Sequence, residues 1–142
     1  MTAKHGGTMH TATLIVRYEA LLIAHERQLN RLRKIRHWPE REIGHKVKRR
    51  RTNREMDIQR GLICQLRFIL DLLRCGQQAQ LLGLINATDA YLTERIRGHS
   101  AGSKRIGKSE AKREHYEAMR DQLRMVQEDL TSEDMLEQPV LL

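Results

Sequence analysis

Residues 52–76 read TNREMDIQRGLICQLRFILDLLRCG. Apolar side chains recur at Met56, Leu62/Ile63, Leu66, Ile69/Leu70 and Leu73, with Gln59 on the same stripe. Steps of three and four residues are the period of an amphipathic α-helix; a half-buried strand would alternate in twos. The segment also carries its own punctuation. Thr52 and Glu55 stand at capping-box spacing, the hydroxyl accepting an orphan amide proton while the carboxylate reaches back to the cap. Gly76 follows the last apolar turn, where a left-handed residue closes a helix and glycine has no Cβ to clash.

The same spacing extends in both directions. From Thr13 onward Leu14, Tyr18, Leu21, His25, Leu29, Leu32 and Ile35 or Arg36 form a stripe, widened by Ile15 and Leu22. It should stop near Arg36, because Pro39 disfavours helical backbone at Trp38 and suits the first turn of a new helix. Glu40 and Glu42 then stand where acids favour a helix start. Between Pro39 and Arg51 only Ile43 and Val47 are apolar, so a bend or break is expected near Thr52. A third helix is expected over 77–97, with Leu81, Leu84/Ile85, Thr88, Leu92 and Ile96 inward. Residues 98–108, GHSAGSKRIGK, have loop composition. Ser109 is the expected cap of a fourth helix striped by Tyr116, Met119, Leu123, Val126 and Leu130. Residues 1–12 read as a flexible lead around Gly6-Gly7, residues 13–130 as the helical domain, and residues 131–142 as an acidic, then apolar, tail. The fold class is all-α: four main amphipathic helices packed as an antiparallel bundle or as two helical hairpins.

Composition agrees. The chain has 142 residues, enough to bury a core as one domain. With 39% hydrophobic residues it can fold, and with 4% aromatic residues it is poorly suited to a sheet. Its longest apolar runs, LIV and ALLIA, are too short to cross a bilayer, and MTAKHGGTMHTAT lacks the apolar block of a signal peptide. Cys64 and Cys75 fall on one helix about 16 Å apart, so they cannot bridge each other. Two such thiols without other soft ligands do not make a zinc site. Reduced thiols point to the cytoplasm, or to the nucleus in a eukaryotic host.

Charge is the most uneven property. The formal net charge is +8, yet residues 27–54 alone hold twelve Lys/Arg against Glu40 and Glu42. A second cluster over 95–113 holds seven against Glu110, while the tail from Val126 has five acids and neither Lys nor Arg. Arg27, Arg31 and Lys34 fall at i, i+4 and i+7, one helical ridge. Lys46, Arg50 and Arg54 repeat every four residues, with Lys48, Arg49 and Arg51 filling neighbouring faces. The turn RHWPE lies between the two ridges, so a hairpin there brings them to one end, with Trp38 available to stack on a base or an arginine. Arginine dominates over lysine here, and its planar fork suits bidentate contact with phosphate. In composition KVKRRRTNRE, residues 46–55, resembles arginine-rich RNA-binding helices and nuclear import signals.

Other motifs carry less. GSKRIGKS, residues 102–109, satisfies the phosphate-loop expression G-x-x-x-x-G-K-[ST], but that loop must follow a buried strand, and DAYLTERIR before it is helical. Lys104, Arg105 and Lys108 there form a secondary basic cluster that a helix N-terminus could add to. EIGH, residues 42–45, offers one carboxylate–histidine pair, where a bundle metal site needs two pairs and further glutamates. His25 on an apolar face reads as a core histidine with one hydrogen bond. No nucleophile–base pair or carboxylate pair can be assembled from spacing, so neither catalysis nor a cofactor is expected. The expectation is a small nucleic-acid-binding protein holding the phosphate backbone of RNA or DNA, free or in a nucleoprotein complex, through residues 27–54. The alternative is an accessory protein of viral or mobile-element type that modulates or inhibits a host enzyme or nucleoprotein complex by protein contact. An acidic protein partner, or a second copy joined through the acidic tail as a homodimer, would suit the same charge pattern. A contiguous basic surface favours the first; an apolar patch on a bundle face favours the second.

Overall fold

A computed structural model describes residues 2–36, 45–100 and 106–132, with side chains over 10–35, 49–99 and 110–132. Four helices account for nearly all of it: α1 (Thr2–Arg36), α2 (His45–Arg74), α3 (Gln78–Ser100) and α4 (Ile106–Thr131). No strand occurs among the described residues. The all-α bundle expected from the apolar spacing is therefore the fold.

The helix ends follow local chemistry in part. At the end of α2, Gly76 has φ 71°. Its amide donates to Leu73 O (3.1 Å) and the Gln77 amide to Leu72 O (2.9 Å), the paired 5→2 and 6→1 bonds that close a helix through a left-handed residue. The Leu81 amide then returns to Gln77 O (3.0 Å), so α3 begins at once.

Three boundaries differ from the sequence reading. The helix containing Thr52 does not break there: α2 runs through, and Thr52 is buried instead of capping. Thr52, Met56, Gln59 and Ile63 fall at i, i+4, i+7 and i+11, so the threonine extends the stripe facing α1 by one turn, and that packing overrides its cap preference. Helix α1 reaches back from the expected Thr13 to Thr2. Tertiary contacts hold its tenth and eleventh residues: His10 is buried, and the Gln78 side-chain Nε2 donates to Thr11 Oγ1 at 2.6 Å. Helix α4 opens at Ile106, ahead of Ser109.

Side-chain pairs give the directions. Between α3 and α4 the rungs are Asn86–Gln127 (2.6 Å), Asp89–Arg124 (2.8 Å) and Thr93–Arg120 (3.4 Å), one number rising as the other falls. Helices α1 and α2 are likewise antiparallel, joined by His25–Gln59 (2.6 Å) and Glu19–Arg74 (3.6 Å). The two hairpins meet through α2 and α4, which run parallel: Gly61 lies against His115 and Met119, and Gln122 donates to Leu62 O (3.1 Å) and Gln65 Oε1 (2.7 Å). A Cβ on Gly61 would sit 2.7 Å from His115 Cε1, so the His115 ring occupies the space that a side chain here would need.

The main core gathers all four helices toward the Gly76 end, with Tyr18, Leu66, Ile69, Leu70, Leu73, Leu81, Ile85 and Val126 almost wholly buried. Tyr18 ties α1 to α4: its hydroxyl donates to Asp129 Oδ2 at 2.6 Å, and Arg17 reaches Asp129 Oδ1 at 3.2 Å. Burial first, and then the Asp129 carboxylate, push the phenol well above its ordinary range. A smaller core of Leu29, Leu32, Met56 and Ile63 holds α1 to α2 toward the opposite end.

Candidate nucleic-acid interface

This topology places four helix ends together: the C-termini of α1 and α3 and the N-termini of α2 and α4. The described members of both basic clusters lie on the helices that meet here, so this end of the bundle draws on each. Because Leu29 and Leu32 turn inward onto Met56, the intervening Arg27, Arg31 and Lys34 face solvent. That ridge is about 10 Å long at 1.5 Å per residue. Across from it Arg49, Arg50 and Arg51 are exposed on the first turns of α2, while Arg54 is half-buried. Lys46, Lys48 and Lys108 lie on the described helices, but their side chains fall outside the described residues, as do Trp38, Lys104 and Arg105 entirely. So do Glu42 and the preceding turn.

The arginines of the bundle divide into two groups. Arg17, Arg67, Arg74 and Arg124 reach acids on other helices: Asp129, Glu26, Glu19 and Asp89. Hydrogen bonding to Arg124 holds the Asp89 carboxyl below its usual range. Arg60, Arg97 and Arg113 pair within their own helices, with Asp57, Glu94 and Glu110/Glu117. Arg95 instead lies over the ring of Tyr91, 5.3 Å from its centroid, with Nε donating to the hydroxyl at 3.0 Å. Arg27, Arg31, Lys34, Arg50 and Arg51 form no ion pair with any described residue. Five exposed cations without an ion pair to a described residue thus lie on the α1–α2 hairpin, and Lys112 of α4 is a further one.

Between the hairpins at this end lies a cleft of about 410 Å³, lined by Arg54, Asp57, Ala111, Lys112, His115 and Tyr116. Sequence reading missed it, because it exists only through the parallel pairing of α2 with α4. One signal was present: Gly61 sits inside a helix, with no turn to explain it. His99 of α3 stacks on Tyr116 (centroids 5.8 Å apart, planes at 27°), and His115 meets the same ring edge-on at 6.0 Å.

Other candidates are placed as follows. His25 Nδ1–H donates to Gln59 Oε1, the single hydrogen bond expected of a core histidine. Helix α3 occupies the place where a phosphate-binding loop would need a strand. Among the described residues no three His, Cys, Asp or Glu side chains gather as metal ligands, and no helix is long and apolar enough to cross a membrane. Both cysteines are free and exposed. Large exposed apolar side chains are spread over three helices: Val16, Ile23 and Ile35 on α1, Phe68 on α2, Leu84 and Tyr91 on α3. The chain matches no protein-family model, no curated protein and no solved structure.

Proposed function

We propose that this protein binds nucleic acid through the phosphate backbone, using the basic end of the bundle. One observation carries the reading: most arginines elsewhere in the bundle reach an acid or a ring, whereas Arg27, Arg31, Lys34, Arg50 and Arg51 are exposed and form no ion pair with a described residue. Around Arg27, Arg31, Lys34 and Arg50 no acid stands at i±3 or i±4, the spacing at which a face serving only solubility gains tenths of a kcal/mol per pair. Unmatched guanidinium groups along two adjacent helices cost self-repulsion that a polyanion removes, releasing its counterions as it binds. The proposed contacts are Arg27, Arg31 and Lys34 from α1 and Arg49, Arg50, Arg51 and Arg54 from α2. Lys46, Lys48 and Trp38 from the same segment, and the secondary cluster Lys104, Arg105 and Lys108, complete the assignment.

Electrophoretic mobility shifts against RNA, single-stranded DNA and duplex DNA at several salt concentrations test it. The expected result is binding that weakens linearly in log–log form as salt rises. Absence of binding to all three at the lowest salt would overturn the reading and leave contact with an acidic protein partner as the role of this end.

A further inference from the structure

We infer that the cleft between α2 and α4 accepts a single unstacked nucleobase, so that the preferred ligand is single-stranded; this rests on the phosphate-binding reading above. The cleft volume of about 410 Å³ lies within the range of small-molecule pockets, and its lining combines aromatic, apolar and charged side chains. The Tyr116 and His115 rings and the Ala111 methyl offer π and apolar surface. Arg54 and Lys112 bring positive charge to the same walls, and Asp57 supplies a carboxylate to accept a base N–H. Part of that carboxylate is already engaged, since Arg60 donates to Asp57 Oδ1 at 3.2 Å.

The aromatic wall is held in place before any ligand arrives. His99 backs the Tyr116 ring from the α3 side, and Tyr116 packs against the main core. A fixed ring costs little ordering on binding. Arg50, Arg54 and Asp57 follow one face of α2 at i, i+4 and i+7, leading from the exposed basic tip into the cleft. A strand whose phosphates lie along that face carries a base to the cleft within one helical turn. A duplex keeps its bases stacked and paired, and can offer only phosphates.

Three labelled ligands of about 12 nucleotides separate these contributions by fluorescence anisotropy: a single strand, a duplex, and an abasic strand with the same phosphates. Parent protein should bind the single strand roughly tenfold more tightly than the abasic strand, one stacked base being worth about 1–3 kcal/mol. Ala111→Leu fills the cleft without removing core atoms, and Tyr116→Leu removes the ring while keeping apolar bulk. Either change should shrink the difference between the intact and abasic strands several-fold and leave duplex binding as it was, and a difference unchanged by both would overturn the inference. An abasic strand that binds as tightly as the intact one would overturn the inference while leaving phosphate binding intact. A parent protein that binds none of the three would overturn both.

Discussion

Replacing Arg49, Arg50 and Arg51 together by Gln tests whether location or mere net charge drives binding. The three are exposed on α2, so their loss removes no core contact, and Gln keeps similar helix propensity. Consecutive helical residues are about 100° apart, so these three fan over about 200° of the helix surface. A rigid duplex meets two of them at once; a flexible single strand can meet all three. At about 0.9 per duplex contact and 0.7 per single-strand contact, the log–log salt slope should flatten by about 2 in either case. Between 50 and 200 mM salt the parent should therefore lose about 15-fold more affinity than the variant. The matched control is Arg17→Gln, Arg67→Gln and Arg74→Gln, which removes the same formal charge from partnered positions. Its slope should stay near the parent's, at a stability cost of up to about 1 kcal/mol per exposed pair. Anisotropy titrations at five or so salt concentrations give all three slopes. Equal slopes for the two triple variants would refute the reasoning, since position would then not matter.

Tyr18→Phe keeps the buried ring but removes the 2.6 Å hydrogen bond to Asp129, and should cost roughly 1–2 kcal/mol of stability. Because the folded phenol titrates above its unfolded value of about 10, the unfolded state holds fewer protons beyond that pH. Parent stability should fall there and its advantage over Tyr18→Phe should narrow; a gap constant from pH 8 to 11 in thermal melts contradicts this. Gly61→Val drives methyl groups into His115 and Met119 and should cost roughly 1–3 kcal/mol, against a near-neutral Gly61→Ala in which helix propensity offsets a shifted ring. A Gly61→Val variant melting with the parent would show that α2 and α4 can part freely. Lys108→Ala should leave ATP affinity undetectable in both proteins and stability unchanged; calorimetric ATP binding abolished by the change would reinstate the phosphate loop.

The elements most legible in the sequence are those decided by local rules. Gly76 closes α2 as its position after the last apolar turn predicts, and the stripes of α2 and α4 are buried at Leu66, Ile69, Leu70, Leu123 and Val126. Misreadings arise where a tertiary neighbour outweighs a local preference. Thr52 has the chemistry of a cap, but α1 lies against it, and a buried position in a continuing helix wins. Near the start of α1, Thr11 is bonded by Gln78, sixty-seven residues away, a contact which no window of periodicity sees. The basic ridges were readable because each lies on one helix, and the hairpin joining them follows from one turn. Their union with the second cluster, and the cleft beside it, required knowing that α2 and α4 run side by side in the same direction.

The start of α2 has a thermodynamic consequence of its own. Backbone amides leave a partial positive charge at a helix N-terminus, which acids ordinarily neutralise, yet the first turn of α2 has none and is followed by Arg49, Arg50 and Arg51. The opening turns are thus arranged against their own macrodipole, and the free chain holds them at a cost. Any anion that settles there relieves both the guanidinium repulsion and the dipole. Thermal stability should then rise on addition of a polyanion beyond the effect of simple salt, which also screens the interhelical ion pairs of Arg17, Arg67, Arg74 and Arg124.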